Sequence, residues 1–308
     1  MNSIAFLFAG QGNQTVGMGT ALAASCEESR ATFEMADQAL GFPLSRIMAE
    51  GPAEDLRRTA IAQPALLTLA VAHARRLRAL GSVPGWLAGH SLGQYAALVI
   101  AGALDFASAV RLVAARGQFM QQAVPEGEGA MMAIMSLGRD EIEAACQSAR
   151  VEGVVNIACH NSPGQTVISG AAAAVTAAAN LCEEAGGGVV SLEVSAPFHC
   201  DLLLPIVPAF TQLVEAAPIT DPVLPVIDNV TAQPLPDAAA VRRSLIDQLT
   251  SPVLFEESLA YLADAGVKHF IQCGPGKNLL GFAKRVARGA KLETFEEAER
   301  RIISVGEN

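Results

Sequence analysis

Short apolar runs alternate with longer stretches of helical period along most of the chain, the order expected of an α/β protein. Ile4–Phe8 reads as a buried strand that runs into a glycine-bearing loop, Ala9-Gly10-Gln11-Gly12-Asn13-Gln14. From Pro64 to Leu80 apolar residues recur at three and four, and Gly81 and Pro84 stop the pattern, so a helix is predicted there. Trp86–Ala88 reads as a short strand end, and Gln94–Ala103 and Phe106–Ala123 as two helices. Val267–Cys273 is a further predicted strand, followed by Gly274-Pro275-Gly276, and the charged tail from Lys291 onward reads as helical or frayed.

The middle of the chain changes rhythm. Ala130–Ser136 is a predicted strand and Asp140–Arg150 a predicted helix, with Asp140, Glu141 and Glu143 in the first turn where the helix dipole favours them. Val154–Cys159 and Thr166–Gly170 read as strands around an Asn161-Ser162-Pro163-Gly164 turn. Ala171–Ala185 is an Ala-rich helix, and Val189–Val194 a strand. The resulting order, βαββαβ, is the ferredoxin-like unit. It predicts an inserted small domain at 128–196, with a large α/β domain formed by 1–127 and 197–308.

Composition narrows the function. The 308 residues are 51% hydrophobic and 17% charged, with a mean hydropathy of +0.34, which calls for a large aliphatic core. Lys and Arg total 21 against 31 Asp and Glu, so the net charge is −10. That is the wrong sign for a general nucleic-acid binder or for intrinsic attraction to anionic membranes. The longest low-charge stretches, near Ala96–Leu104 and Ile168–Ala179, are well short of a membrane span. The first residues lack a basic region and read as the approach to a strand, not as a signal peptide. Six cysteines without close pairing predict reduced thiols in a cytoplasmic protein, and none joins a histidine at metal-site spacing, so no metal is expected.

The strongest chemical signal is Gly89-His90-Ser91-Leu92-Gly93, a G-x-S-x-G nucleophile elbow with a strand before it and an apolar helix after it. Such a turn projects the serine Oγ and points free helix N–H groups at the reacting centre. A serine needs a base. His73 lies in mid-helix and reads as a surface or interface imidazole, His269 sits on a strand and can alternate outward, and His90 is turned away from Oγ by the elbow. His160 and His199 both remain as bases, the second at the junction between the two predicted domains. The loop holding Gln11 can offer a backbone N–H to an oxyanion. Arg116, near the end of an apolar helix and followed by Gly117, reads from the residues alone either as a solvated arginine complementing the helix dipole or as a guanidinium turned into a cleft, where it can hold a carboxylate in two-pronged fashion.

Taken together, these motifs resemble the malonyl-CoA:acyl carrier protein transacylase family, over about residues 3 to 290. The resemblance is carried by Phe8-Ala9-Gly10-Gln11-Gly12-Asn13-Gln14, Gly89-His90-Ser91-Leu92-Gly93, Arg116-Gly117-Gln118-Phe119-Met120-Gln121, Asn161-Ser162-Pro163-Gly164-Gln165, Pro197-Phe198-His199-Cys200 and Gln248-Leu249-Thr250-Ser251-Pro252-Val253. It implies an α/β-hydrolase-like large domain with an inserted ferredoxin-like small domain. It implies Ser91 as nucleophile, His199 as base oriented by the backbone carbonyl of Gln248, and an oxyanion hole from the N–H groups of Gln11 and Leu92. Arg116 would bind the malonyl carboxylate, and His90 and Phe198 would line the substrate pocket. Phe198 before the histidine accompanies malonyl rather than methylmalonyl, since a bulky ring crowds an extra methyl. The implied reaction is ping-pong transfer from malonyl-CoA, with no bound cofactor, to the phosphopantetheine thiol of an acidic acyl carrier protein, by a monomer serving fatty acid or polyketide synthesis. Two acidic partners must meet through a local basic patch, for which Lys277, Lys284, Arg285, Arg288 and Lys291 are the candidates.

Two positions depart from the family. Glu is usual three residues after the nucleophile, where this chain has Gln94, and Asn is frequent where it has Cys159. Two other readings stand beside the transferase: a hydrolase clearing acyl groups from carrier proteins, and an inactive scaffold subunit.

Overall fold

The computed structural model describes residues 3–125, 127–194 and 196–306. Among the described residues, ten strands form two five-stranded sheets. The first holds β1 (Ile4–Phe8), β2 (Trp86–Gly89), β7 (Val226–Ile227), β9 (His269–Cys273) and β10 (Lys291–Thr294), in the order β10-β9-β1-β2-β7. All its neighbours run parallel. A parallel sheet covered by helices is buried on both faces, and β1 and β2 accordingly carry unbroken apolar runs rather than alternation. The second holds β3 (Gly129–Met135), β4 (Val155–Ser162), β5 (Gln165–Ala171), β6 (Gly188–Ser191) and β8 (Val253–Leu254), in the order β6-β3-β5-β4-β8.

The first four strands of that second sheet have the ferredoxin-like order and are antiparallel, with helices Arg139–Ala149 and Ala172–Glu184 packed on them. The fold is thus the expected α/β-hydrolase-like body carrying a ferredoxin-like unit. Ile134, Ile142, Cys146, Val155, Ile168 and Val175 anchor a separate small core in that unit. The remaining strand, β8, comes from far down the chain and pairs in parallel with β4 at Cys159 and His160, stitching the small sheet to the rest.

Three local expectations change. The long helix spans Thr59–Ala79 rather than starting at Pro64, because its buried surroundings outweigh the hydrogen bond that an internal proline forfeits. The charged tail forms β10 and then helix Phe295–Gly306, with Glu293 on the strand paired to Lys291 and Arg301 and hydrogen-bonded to His269. His73 is buried, not at a surface, with its ring stacked on Phe295 at 3.8 Å and its Nδ1 accepting from Gly274 N–H at 3.1 Å. Among the described residues no helix is long and apolar enough to cross a membrane, all six cysteines are free, and no group of His, Cys, Asp or Glu could hold a metal.

Candidate active site

The carboxyl ends of β1, β2, β7 and β9 open at one edge of the parallel sheet, where open α/β sheets place their ligands. From β2 the chain turns sharply at Ser91 into helix Gly93–Ile100. Ser91 has φ 51°, a left-handed conformation that a non-glycine residue adopts only when its surroundings hold it there. Its flanking glycines are required by contact: a Cβ on Gly89 would lie 2.0 Å from Gly93 C, and one on Gly93 would lie 2.0 Å from Phe8 O. The spacing read in the sequence therefore has a steric cause, namely that helix and strands touch backbone to backbone.

Of the two histidines left open by the residues alone, His199 reaches the serine. Its Nε2 is 2.7 Å from Ser91 Oγ, and its Nδ1 is 2.7 Å from the carbonyl oxygen of Gln248. A carbonyl can only accept, so Nδ1 carries the hydrogen and Nε2 offers a lone pair to the hydroxyl. Burial, and after it the Arg116 charge, pushes His199 down to about 3 from 6.5, so the ring is neutral at physiological pH. His160 lies elsewhere, with its Nδ1 3.1 Å from Glu257 in a cluster with Arg139 that joins the small unit to helix Phe255–Asp264. His269 is tied to Glu293 at 2.7 Å.

Arg116 comes to the same point from helix Phe106–Ala123, but deeper than a cleft-lining residue: it is 2% exposed. Its Nη2 donates to Ser91 Oγ at 3.2 Å and to Gln248 Oε1 at 3.1 Å, and its Nη1 to Gln63 Oε1 at 2.8 Å. The guanidinium carbon stands 5.5 Å from the centre of the Tyr95 ring. Among the described residues no carboxylate pairs with it, and its buried Nε–H has no partner. A buried cation held only by neutral groups is costly, and an entering anion would relieve it.

A cavity of about 320 Å³ opens in front of this group, lined among others by Gln11, His90, Ser91, Phe198 and His199. It is bounded on the far side by β3 and β5 through Met131 and Val167, so the two sheets share it. His90 is held by Asn161 at 2.8 Å and by an edge contact with Phe255, and burial lowers its pKa. Leu92 directly precedes helix Gly93–Ile100, whose first amides, those of Gly93, Gln94 and Tyr95, donate back to the carbonyls of His90, Ser91 and Leu92. Cys159 also lines the cavity, and burial pushes its thiol up to about 12.

The basic segment is less uniform than its sequence suggests. Lys277 is 3.3 Å from Glu297 and Lys291 is 2.7 Å from Glu293, so folding neutralises both ends of the proposed patch. Arg285 reaches Ser162 and Pro163 across the mouth, beside exposed Lys284 and Arg288. Sequence reasoning missed Gln63 and Asn229. Asn229 follows β7 in an otherwise unremarked Asp228-Asn229-Val230-Thr231 turn, and its relation to Ser91 exists only because β7 lies beside β2.

Residues 5–294 match the acyl transferase domain family. The chain is 44% identical over 301 residues to the malonyl CoA-acyl carrier protein transacylase of Bacillus subtilis (strain 168), covering 97% of this chain and 95% of that protein. It is 47% identical over 290 residues to the protein of the same name from Escherichia coli (strain K12), covering 93% of each. The crystal structure of an acyl carrier protein S-malonyltransferase from Vibrio cholerae superposes with a TM-score of 0.92 at 42% identity, covering 95% of this chain and 96% of that one. A chain from the structure of a type II polyketide synthase acyl-carrier protein in complex with its malonyl-transacylase matches with a TM-score of 0.90 at 39% identity, over 94% of both chains. With nearly its whole length matched in sequence and in fold, this chain belongs to the acyl transferase domain family.

Proposed function

We propose that the chain is a malonyl-CoA:acyl carrier protein S-malonyltransferase working through an acyl-serine. The observation that carries this reading is the convergence on one hydroxyl: Ser91 Oγ lies 2.7 Å from a neutral imidazole nitrogen and 3.2 Å from a buried guanidinium that has no anion. In the first half-reaction His199 Nε2 takes the Ser91 proton as Oγ attacks the thioester carbonyl. The N–H groups of Gln11 and Leu92 receive the developing oxyanion. Collapse expels the coenzyme A thiolate, which takes the proton back from His199. The carrier's phosphopantetheine thiol then repeats the sequence in reverse on the acyl-serine. No triad aspartate is needed, since the Gln248 carbonyl already fixes the tautomer.

Arg116 supplies selectivity. The carboxylate of a malonyl group pairs with it, whereas an acetyl group leaves the cation without a counter-ion. Phe198, 9% exposed at the cavity wall, crowds a methyl branch on the α-carbon, and His90 borders the same pocket. The carrier protein docks against Lys284, Arg285 and Arg288 at the mouth, with Lys277 contributing only if it leaves Glu297. Residues 128–196 act as the small domain that closes one side of the cavity against 1–127 and 197–308. The setting is a cytoplasmic fatty acid or polyketide pathway.

The test is to incubate the protein with labelled malonyl-CoA and then add holo carrier protein. Label on the carrier is the expected result. Free malonate would favour the hydrolase, and no covalent label would leave only the inactive scaffold.

A further inference from the structure

The turn that holds Ser91 is closed by a side chain from a different strand. Asn229 Oδ1 accepts from Ser91 N–H at 2.7 Å, and Asn229 Nδ2 donates to the Gly89 carbonyl at 2.6 Å. One carboxamide thus spans the elbow from the residue two before the serine to the serine itself. The same Oδ1 accepts from Gln248 Nε2 at 3.1 Å, which also reaches the Ser91 carbonyl at 3.2 Å. Gln94 Oε1 receives the Asn229 backbone N–H at 2.8 Å, and Gln94 Nε2 donates to Ser244 Oγ at 2.6 Å, whose hydroxyl is bonded to Asp228. Since the backbone carbonyl of Gln248 holds His199, nucleophile and base are fastened to a single buried set of amides, and Asn229 is 1% exposed at its centre.

We propose that Asn229 is a positioning residue for acyl transfer, its amide holding Ser91 in the left-handed conformation that aims Oγ at His199. This rests on Ser91 acting as the nucleophile. The role requires an acceptor and a donor on one short side chain, which asparagine has and an ionised aspartate or an aliphatic residue lacks. Strain at Ser91 persists only while something over-determines it, and a displacement of about 1 Å in a reacting group can lower a rate on the order of 10²-fold.

The decisive variants are Asn229→Asp and Asn229→Ala, assayed as single-turnover acylation with labelled malonyl-CoA between about pH 5.5 and pH 8, per folded molecule by circular dichroism. Asn229→Ala is expected to acylate at least about tenfold more slowly at every pH, with little change in KM. Asn229→Asp is expected to be as slow at pH 8 and to recover as pH falls, because a protonated carboxyl again both donates and accepts. Burial and neighbouring Asp228 raise the pKa of such a carboxyl, against Arg116 one amide away, while His199 stays neutral across these pH values. That acid recovery has the opposite sign to loss of a base, and a residue that only stabilised the fold would shift melting without it. Should Asn229→Ala not fold, Asn229→Ser is read in the same way. Wild-type acylation rates in the variants, with no acid recovery in Asn229→Asp, would overturn the proposal. Failure of the wild type to label Ser91 would instead overturn the parent reading.

Discussion

His73 and His199 are both buried, both held neutral, and both pushed down to about 3, yet only His199 faces a hydroxyl, that of Ser91. At His73 the backbone partner is a donor, Gly274 N–H, which occupies the Nδ1 lone pair while the ring stacks on Phe295. At His199 the partner is an acceptor, Gln248 C=O, so the lone pair is left on Nε2 and faces Ser91 Oγ. A similar pKa therefore says little about role. The direction of one backbone hydrogen bond decides whether a buried imidazole is a base or a piece of core.

The largest effect should separate the two residues. His199→Ala is expected to slow acylation by about 10² to 10⁴-fold. His73→Leu should leave acylation per folded molecule within about threefold while lowering stability by about 1–3 kcal/mol, since Gly274 N–H loses its acceptor. Single-turnover labelling beside urea titration checks both, and the reverse pattern would erase the distinction.

Next in size is Arg116, which sits beside His199 and, among the described residues, is paired with no carboxylate. Arg116→Ala should lower malonyl transfer about 10²-fold more than acetyl transfer, because only malonyl brings the missing anion. Equal losses with the two thioesters would remove the carboxylate clamp.

The third expectation concerns pH. Both histidines have folded pKa values far below 6.5, so between pH 6.5 and about 3 the unfolded chain takes up protons that the native state refuses. Stability contributed by the neutral rings is therefore complete above pH 6.5 and is lost as pH falls, at about 1.4 kcal/mol per unit for each histidine. Acylation by the folded enzyme should show no break near 6.5 over the same range. Urea titrations against pH test the first statement and the acylation profile the second; a rate that halves at pH 6.5 would mean that His199 is not desolvated as described.

The smallest effect is at the mouth. Lys284→Glu should slow transfer to the carrier a few-fold at low salt and leave acylation by malonyl-CoA unchanged. Steady-state rates with varied carrier concentration check it, and an equal slowing of both half-reactions would place Lys284 outside the docking surface.

How much of this could be read from the chain depended on whether the relevant residues are near one another in sequence. The elbow was legible because its steric demand falls on Gly89 and Gly93, two residues either side of Ser91. The βαββαβ order was legible because its elements follow one another directly between residues 129 and 191, whereas the β8 addition to that sheet, far down the chain, was not. His160 and His199 both occupy polar ends of apolar segments, and only the packing of the two units decides which faces the serine. For Arg116, an arginine followed by glycine on an apolar helix pointed to a cleft but gave no depth, and the residue stands buried behind Ser91. Asn229 left no signal, since its contact with Ser91 spans 138 positions and depends on parallel pairing of β2 with β7. Lys277 looked uncommitted because its acid, Glu297, comes from the tail that folds back as β10 and its helix, whereas the partner of Lys291, Glu293, lies two positions on in the same strand.

The most direct test of the central claim, a malonyl-serine formed by a serine–histidine pair, is peptide mass mapping of the protein after brief exposure to malonyl-CoA. The expected result is a malonyl adduct confined to the peptide containing Ser91, formed rapidly in the wild type and absent from Ser91→Ala. An adduct on another residue, or one that persists in Ser91→Ala, would contradict it.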